Sequence, residues 1–488
     1  MRSDLILLLP VLSLLSGAAL PAQSDTQTTQ QRYILHLRER SFDLSAWRQA
    51  VLDGRSAQEV EKILARYEER VLQDQASLVR RIEKLSGQVV AQWWIINACA
   101  VELGDEAVAV VSRWPEVETV EKDRIVAPAR SLPTAWIKTA TNAKNHNADS
   151  LHILKIAGRG VTTAILDTGQ DVDMGGTKRP HRLYYVNGDS RNQTGGGLGG
   201  SRLLVNRKIG LLSAGDTTGH GTCVASVVAG GSWSSLNADR GHAYDAKIAG
   251  YGIADAAGGG SSYTTMVSAW QAIAADRVKL GIVTVNMSYA GSSNPLNAAQ
   301  KALDSAAYNG DLLVAVAAGN NGTNTSFSQS CVNGLSVGAV AADTRQLASF
   351  SCRGTPDGQL YPDICANGVN SVMAQMDLEM QDRIWSGTSF ASPQVCGAAT
   401  QLRAAVPTLR ANEVKAILLA TTAKTPLTGN TQVSTGPGCG YLKNDEAYAS
   451  ATRPARHGRV QLSAATPIAR FTLPVQKGQD YQVALAWP

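Results

Sequence analysis

The sequence has little excess of one charge and no basic run. Its 45 Lys and Arg residues face 40 Asp and Glu residues, which leaves a formal net charge of +5 over 488 residues. No stretch interleaves basic with aromatic side chains, so a nucleic-acid groove is not expected. Aromatic residues are scarce at 6%, whereas hydrophobic residues reach 44% and glycine occurs 45 times. This composition is typical of a soluble globular protein with many turns, and the length predicts more than one domain.

Long hydrophobic runs are lacking beyond the start of the chain, so no later segment is expected to span a bilayer. At the start, Arg2 precedes an apolar run over residues 5–15, and small residues follow up to Ala22. This pattern predicts a signal peptide over residues 1–22 and a secreted protein, extracellular or periplasmic, with no membrane attachment after cleavage. A transmembrane anchor is the alternative, but the run is short and ends in small rather than basic residues.

Cysteine shows no zinc-binding pattern, because no short-range CxxC or Cys/His spacing in the sequence suggests a zinc site. If Cys99 belongs to a removed segment, six cysteines remain, namely Cys223, Cys331, Cys352, Cys365, Cys396 and Cys439. An even number is compatible with disulfide bonds in an exported protein. The pairing cannot be read from sequence; the short loop between Cys352 and Cys365 suggests one pair.

Residues 32–127 form a self-contained α+β pattern. The segment RYILHL at residues 32–37 is strand-like, and Ser56 with Glu59 forms an S-x-x-E capping box that opens a long amphipathic helix ending near Gly87. Further segments follow up to a last strand around residues 117–125. This pattern predicts a small ferredoxin-like unit, and on the pattern alone an independent N-terminal domain is an open alternative.

Residues 133–453 alternate short apolar runs with helix-length segments. VTTAILD at residues 161–167 ends in a turn, and AKIAGYGI, GIVTVNMSY, DLLVAVAAG and GLSVGAV repeat this form. Continuous apolar strands separated by helices predict an α/β fold, with a parallel sheet covered by helices on both faces. Ligands bind beyond the carboxyl ends of such strands. The tail at residues 457–488 is strand-like, either a small appendage or the start of a truncated β domain.

Three motifs in the α/β region supply the residue types of a serine nucleophile site. They are LDTGQD with Asp167, DTTGHGTCVAS with His220 and SGTSFASP with Ser389. A serine hydroxyl is a poor nucleophile until an imidazole accepts its proton, and a carboxylate fixes the tautomer of that imidazole. DTG also marks aspartic proteases, but these need a second such carboxylate and no second DTG or DSG is present. The three motifs together predict catalysis.

The three segments, in the order Asp, His, Ser, resemble the subtilisin-like serine proteases over about residues 160–399. A fourth match is AAGNNG, in which Asn320 falls where the family has its oxyanion-binding asparagine. The resemblance implies that Asp167 orients His220, that His220 activates Ser389, and that Asn320 and the Ser389 N–H bind the oxyanion. It implies no cofactor for the chemistry. Calcium stabilises many members, but the sequence identifies no ligand set.

By the same resemblance, two extended edges and the residues before Asn320 would contact the substrate main chain. These residues are Ser288, Tyr289, Ala290 and Gly291 on one edge, Gly258, Gly259 and Gly260 on the other, and Ala318 and Gly319 before Asn320. Main-chain pairing makes little demand on substrate sequence, so broad specificity is expected. The sequence near these edges has no acidic cluster of the kind that would indicate a preference for paired basic residues.

The N-terminal unit resembles the inhibitory propeptide of this family, because its closing segment WPEVETVEKDRIVAP is similar to the family's W/P-x-V-x-x-V-E-x-D ending. The resemblance implies a zymogen whose partners are polypeptide substrates and its own propeptide, with cleavage between about Val126 and Leu132 and a monomeric enzyme. A catalytically silent scaffold of the same fold and a non-peptidase acyl hydrolase are the alternatives.

Two cysteines depart from the pattern of the family. Cys223 stands where relatives usually have histidine, and Cys396 replaces a common alanine. A free Cys223 behind His220 would make the enzyme sensitive to thiol reagents, whereas a buried cysteine would be inert.

Residues 195–200, GGGLGG, match the dinucleotide pattern GxGxxG, but their polar surroundings predict a loop.

Overall fold

The computed structural model describes residues 30–38, 40–128, 146–233, 239–290, 294, 296–322, 332–341, 345–354, 361–423, 438–453 and 483–486. The predicted signal peptide, Gly291, Cys331 and most of the predicted tail lie outside the described residues.

The N-terminal unit is a four-stranded antiparallel sheet with three helices. Its elements in chain order are β1 (Gln31–Leu37), α1 (Ser45–Leu52), α2 (Ala57–Lys84), β2 (Gln88–Trp93), β3 (Ala98–Leu103), α3 (Asp105–Val111) and β4 (Val117–Lys122). The strand order β2-β3-β1-β4 confirms the ferredoxin-like prediction, except that α1 is inserted between β1 and α2. The predicted capping box forms, since Ser56 Oγ accepts from the Glu59 N–H and the Glu59 carboxylate accepts from the Ser56 N–H.

After β4, the N-terminal segment ends in one more strand, β5 (Ile125–Pro128), which pairs with strands of the larger domain, and the α/β region follows. The elements of this region are α4 (Ala148–Ile153), β6 (Thr162–Asp167), β7 (Leu203–Lys208), α5 (His220–Ala229), β8 (Lys247–Gly252), β9 (Ser261–Ser262), α6 (Tyr263–Asp276), β10 (Ile282–Met287), β11 (Tyr289–Ala290), α7 (Ala298–Gly310), β12 (Leu313–Ala317), β13 (Leu335–Val340), β14 (Ile364–Asn367), β15 (Ser371–Ala374), β16 (Asp382–Trp385), α8 (Thr388–Ala405), α9 (Ala411–Ala420) and α10 (Asn444–Ala451). The residues of GGGLGG lie before β7 in a loop with one short 3-10 turn, as predicted.

Seven strands pair in parallel in the order β14-β13-β12-β10-β6-β8-β7. Every residue of β6, β10, β12 and β13 is buried, which is why these strands are continuous apolar runs in the sequence. Alternate side chains enter two apolar clusters, one with α6 and α7 and the other with α5, α8 and α9. The predicted parallel sheet with helices on both faces is therefore confirmed.

The N-terminal unit packs against α6 and α7. Trp94 and Ile95, from the turn between β2 and β3, share an apolar cluster with the side chains of both helices. Trp93 Nε1 donates to Ser268 Oγ at 3.0 Å, and Ser305 Oγ donates to the Ile95 carbonyl at 2.9 Å. The unit is thus joined to the larger domain by a mixed apolar and polar interface rather than standing apart. In the part of the chain described here, no helix combines the length and the apolar character needed to cross a membrane.

Candidate active site

The candidate site lies at the carboxyl edge of the parallel sheet, where several motif residues follow strands. Asp167 is the last residue of β6, and Asn320 follows β12 after two intervening residues. His220 and Ser389 come from helices instead, because they begin α5 and α8. Carboxyl ends of parallel strands and helix N-termini meet at the same edge, so the fold brings the three sequence motifs together.

Asp167 and His220 form a buried hydrogen-bonded pair. Asp167 Oδ1 lies 2.7 Å from His220 Nδ1, and both side chains are fully buried. The same oxygen accepts the Thr168 N–H at 2.8 Å, which fixes the carboxylate. A carboxylate at Nδ1 keeps the proton on that nitrogen, so the Nε2 lone pair is the basic one. His220 Nε2 has no hydrogen-bond partner among the described residues.

Asp216 holds the start of α5, a role that its place in the motif did not reveal. Its Oδ1 accepts from the Gly219 N–H at 2.9 Å and its Oδ2 from the Thr222 N–H at 2.8 Å. Thr168 Oγ1 also donates to Asp216 Oδ1 at 2.9 Å, so one carboxylate joins the residue after Asp167 to the turn that carries His220. Gly219, at a φ of +79°, precedes the helix in a left-handed conformation that favours glycine.

Ser389 is the second residue of α8, and its hydroxyl is engaged with the neighbouring edge. Ser389 Oγ donates to the Ser288 carbonyl at 3.1 Å, and Ser288 Oγ donates to the Ser389 carbonyl at 2.8 Å. The next side chain, Phe390, places its ring 5.5 Å from the His220 ring. A role for Ser389 as the nucleophile would require its hydroxyl to exchange the Ser288 carbonyl for His220 Nε2, and catalytic contacts of this kind often tighten only when substrate binds.

The amide of Asn320 is oriented by Thr388, which directly precedes Ser389. Asn320 Oδ1 accepts from the Thr388 N–H at 3.0 Å and from Thr388 Oγ1 at 2.9 Å. Because both partners donate, the oxygen must face Thr388, and Nδ2 points away. Within the described residues, Nδ2 is buried and has no partner. Thr388 Oγ1 also accepts from the Gly319 N–H at 2.9 Å, so this side chain links the start of α8 to the segment that carries Asn320.

A short three-stranded antiparallel sheet crosses the cleft beside these residues, with β5 between β11 and β9. Tyr289 pairs with Pro128 and Ala290 with Ala127, so two of the predicted edge residues form the edge. Ser288 contacts Ser389 instead. On the other side, β5 pairs with Ser261 and Ser262 of β9.

The three predicted glycines of the second edge do not pair with β5. They form a turn in which the Asp255 carboxylate accepts from the Gly259 and Gly260 N–H groups at 3.4 and 3.1 Å, and Gly258 has a φ of +90°. The edge itself starts one residue further along, at Ser261. A turn whose amides are used by a side chain cannot also present them to a strand.

Ala318 and Gly319 lie behind Asn320 rather than against β5. The Ala318 carbonyl accepts from Tyr361 Oη at 2.8 Å, and the Gly319 carbonyl accepts from the Cys352 N–H at 3.0 Å. Their backbone is thus fixed by hydrogen bonds from the neighbouring segment.

The cysteines of the site are buried thiols. Cys223 donates from Sγ to the Ala374 carbonyl at 3.4 Å, and burial raises its pKa, so the structure favours the buried alternative, which predicts an inert thiol. Burial also raises the pKa of Cys396 to about 11. Cys365 is a free buried thiol on β14, so the suggested pairing of Cys352 with Cys365 is wrong. A short separation in sequence gives no information on the distance between two sulfur atoms in the fold.

Among the described residues, the histidines outside the motifs are buried. His242 Nε2 lies 3.0 Å from His146 Nδ1, and the His242 carbonyl accepts from His152 Nε2 at 2.7 Å. Burial lowers the pKa of His146 to about 3 and that of His181 to about 4.

Over the ranges of the chain that the structure covers, no group of three or more His, Cys, Asp or Glu side chains is arranged to hold a metal ion.

Comparisons with known proteins agree with this geometry. Residues 158–441 match the protein-family model described as the subtilase family. The chain is 28% identical over 353 residues to serine protease AprX of Bacillus subtilis, covering 66% of this chain and 73% of AprX. It is 28% identical over 291 residues to a cuticle-degrading serine protease of Arthrobotrys oligospora, covering 58% of this chain and 62% of that protein.

A solved structure is also similar to this chain. Fervidolysin from Fervidobacterium pennivorans, a keratinolytic enzyme related to subtilisin, aligns with a TM-score of 0.58 over 87% of this chain and 62% of its own. The identity is 17%, so this likeness concerns the fold alone.

Proposed function

The chain belongs to the subtilase family, the subtilisin-like serine endopeptidases, and from this premise we propose that it is a secreted endopeptidase made as a self-processing zymogen. The family match covers residues 158–441, which contain the buried Asp167–His220 pair, Asn320 and Ser389. That pair at 2.7 Å, beside a serine at the start of α8, is the observation that carries the proposal.

In the proposed mechanism His220 is the general base and Ser389 the nucleophile. His220 Nε2 takes the proton from Ser389 Oγ as the oxygen attacks the scissile carbonyl, and Asp167 stabilises the imidazolium that forms. The imidazolium then gives its proton to the leaving amine, and an acyl-enzyme on Ser389 remains. Water, deprotonated by the same Nε2, hydrolyses this ester. The chemistry is proposed to need no cofactor, because each proton transfer has a side chain to perform it.

Asn320 is proposed as the side-chain donor of the oxyanion hole. Its buried Nδ2, which has no partner among the described residues, would donate to the substrate oxygen together with the Ser389 N–H at the start of α8. A donor that is fixed before the reaction costs no reorganisation when charge develops.

The cleft is proposed to bind an extended polypeptide, and β5 already occupies it in that form. β5 lies antiparallel between β9 and β11, and it runs from Ile125 towards Pro128, which pairs with Tyr289. The next residue of that edge, Ser288, contacts Ser389. The C-terminal end of β5 therefore lies on the side of this edge that contacts Ser389, which supports self-cleavage between about Val126 and Leu132. Main-chain pairing supports a broad substrate range.

The segment at residues 32–127 is accordingly proposed to be an inhibitory prodomain, and residues 133–453 the protease domain. Two acidic residues of its closing segment support this role, because they cap helices of the larger domain. Glu121 Oε2 accepts from the Ala298 N–H at 3.0 Å, and Asp123 Oδ1 accepts from the Thr264 N–H at 3.2 Å. The proposal also includes export directed by the predicted signal peptide and a monomeric enzyme.

A fluorophosphonate probe and a protein substrate test the function. We expect the wild-type protein to digest casein and to carry the probe on a single peptide that contains Ser389, whereas His220→Ala should do neither at a measurable rate. Hydrolysis of simple esters without digestion of casein would favour an acyl hydrolase. A folded wild-type protein that neither labels nor digests would overturn the proposal in favour of a silent scaffold.

A further inference from the structure

We propose that α1, the helix inserted between β1 and α2, is a clamp that keeps the cleaved prodomain on the C-terminal end of α7. The inference rests on the proposed function, because it concerns how long the cleft stays blocked after self-cleavage. The docking surface on the protease domain is the last turn of α7, and the partner that binds there is the prodomain of the same chain.

Trp47 anchors α1 within the prodomain. Its side chain is fully buried, and its ring meets the Trp94 ring edge to face with 5.5 Å between centroids. The Trp47 N–H also donates to Tyr67 Oη at 3.3 Å. Because Trp94 lies in the turn that packs on α6 and α7, the helix is fixed next to the domain interface.

Arg48, the next residue of α1, makes the contact with the protease domain. Its guanidinium carbon lies 3.6 Å from the centroid of the Tyr308 ring, and its Nη1 donates to the Tyr308 carbonyl. This carbonyl belongs to the last turn of α7, whose final carbonyls have no partner within the helix. Arg48 is half-buried there, so solvent weakens the contact less than it would at a fully exposed site.

The prodomain thus supplies a charge at each end of α7. The helix has no acidic residue in its first turn and no basic residue in its last turn. Glu121 contributes a carboxylate at Ala298, and Arg48 contributes a cation at Tyr308. Both charges have the sign that the helix dipole favours. Arg277 of the protease domain also donates to the Gly310 carbonyl at 2.7 Å, so Arg48 adds to a cation already present.

The position of this contact gives it a separate role from β5. The two ends of α7 lie about 18 Å apart, at 1.5 Å per residue. Because β12 begins at Leu313, shortly after α7 ends at Gly310, this end of α7 leads into the amino edge of the sheet, opposite the carboxyl edge that carries the site. Arg48 therefore holds the prodomain at a place that a substrate in the cleft does not displace. While this contact persists, β5 returns to the cleft as an intramolecular event. Loss of the contact should speed release of the prodomain and leave catalysis unchanged.

The experiment uses the full chain and follows the lag between self-cleavage, seen by intact mass, and turnover of a small fluorogenic peptide. For Arg48→Ala we expect release roughly tenfold faster than in the wild type. Tyr308→Ala, which changes the protease side and leaves the carbonyl, should shorten the lag roughly threefold. The final kcat/KM should be the same in all cases. Gln49→Ala is the matched control, because Gln49 is exposed and its amide donates only to Asp53, at 2.6 Å, within α1.

A lag equal to that of the wild type in both Arg48→Ala and Tyr308→Ala would overturn the clamp, and so would an equally short lag in Gln49→Ala. If Arg48→Ala fails to fold, Tyr308→Ala still decides the matter, because it leaves the prodomain sequence unchanged and removes only the ring that faces Arg48. Failure of the clamp leaves normal cleavage and turnover, whereas failure of the proposed function leaves an uncleaved wild-type chain.

Discussion

Asn320 is held through its oxygen, so changing it should remove one donor from the oxyanion site. In Asn320→Ala the Nδ2 group that has no partner among the described residues disappears. Loss of one such donor lowers kcat about 10²–10³-fold, or about 2.7–4 kcal/mol, a figure that was measured in subtilisin itself and is carried over here. KM should change little, because the donor meets the substrate oxygen in the charged state rather than the ground state.

A second variant separates this effect from a structural one. Alanine also leaves the Thr388 N–H and Oγ1 without their acceptor, which costs about 1–3 kcal/mol of stability if they stay buried. Asn320→Asp keeps an oxygen for Thr388, but it replaces the donor nitrogen with a carboxylate oxygen whose negative charge also repels the developing oxyanion, so its kcat should fall at least as far as that of Asn320→Ala. We therefore expect both variants to lose kcat, but Asn320→Asp to keep a melting temperature closer to that of the wild type.

The assay is steady-state hydrolysis of a chromogenic peptide by molecules that intact mass identifies as cleaved, with active sites counted by a fluorophosphonate. The reasoning is refuted if kcat of Asn320→Asp stays within about tenfold of the wild type, a change of about 1.4 kcal/mol. It is also refuted if the loss is entirely in KM, since that would indicate a ground-state contact.

Three further predictions concern titration and thiol chemistry. Burial of Cys223 should make the active enzyme resistant to iodoacetamide at neutral pH, and rapid inhibition that Cys223→Ala abolishes would contradict this. Burial, with Asp377 and Asp216 nearby, raises the pKa of Asp171 to about 6, so the native state binds this proton more tightly than the unfolded state. The stability that protonated Asp171 contributes is therefore lost as pH rises from about 4 through 6. Asp171→Asn should raise the melting temperature at pH 8 but not at pH 3.5. An equal change in melting temperature at both pH values would contradict this prediction. Burial lowers the pKa of His146 to about 3, and that of His242 lies well below its ordinary value. The stability that these neutral histidines contribute is therefore present above about pH 6.5 and lost as pH falls below it. In thermal unfolding of the inactive Ser389→Ala protein, His146→Gln should reduce the fall of the melting temperature with decreasing pH. An unchanged dependence of melting temperature on pH would count against this assignment.

The residues of the site could be predicted from the sequence because each sits in a short motif whose chain order is informative. Asp167, His220, Ser389 and Asn320 all lie at the carboxyl edge of the sheet, as the strand pattern requires. The strands themselves were visible because burial on both faces makes them continuous apolar runs.

Other parts depend on contacts between distant segments, which no local pattern encodes. Asp216 acts through hydrogen bonds from backbone N–H groups, and Thr388 through hydrogen bonds that it donates to the amide oxygen of Asn320; residue type alone does not reveal such bonds. The cleft edge at Ser261 rather than at Gly260 follows from a turn around Asp255. The helix α1 has no side-chain cap that would have marked its start.

The time course of intact mass for the full chain and for Ser389→Ala tests the central claim directly, because self-cleavage needs both the nucleophile and a correctly bound β5. We predict that the wild type shortens to a product that begins between about residues 127 and 133, while Ser389→Ala stays intact with the same fold by circular dichroism. Equal shortening of both proteins in a protease-free preparation would show that another group cuts the chain. A wild type that folds and stays at full length would contradict the account of a self-processing zymogen.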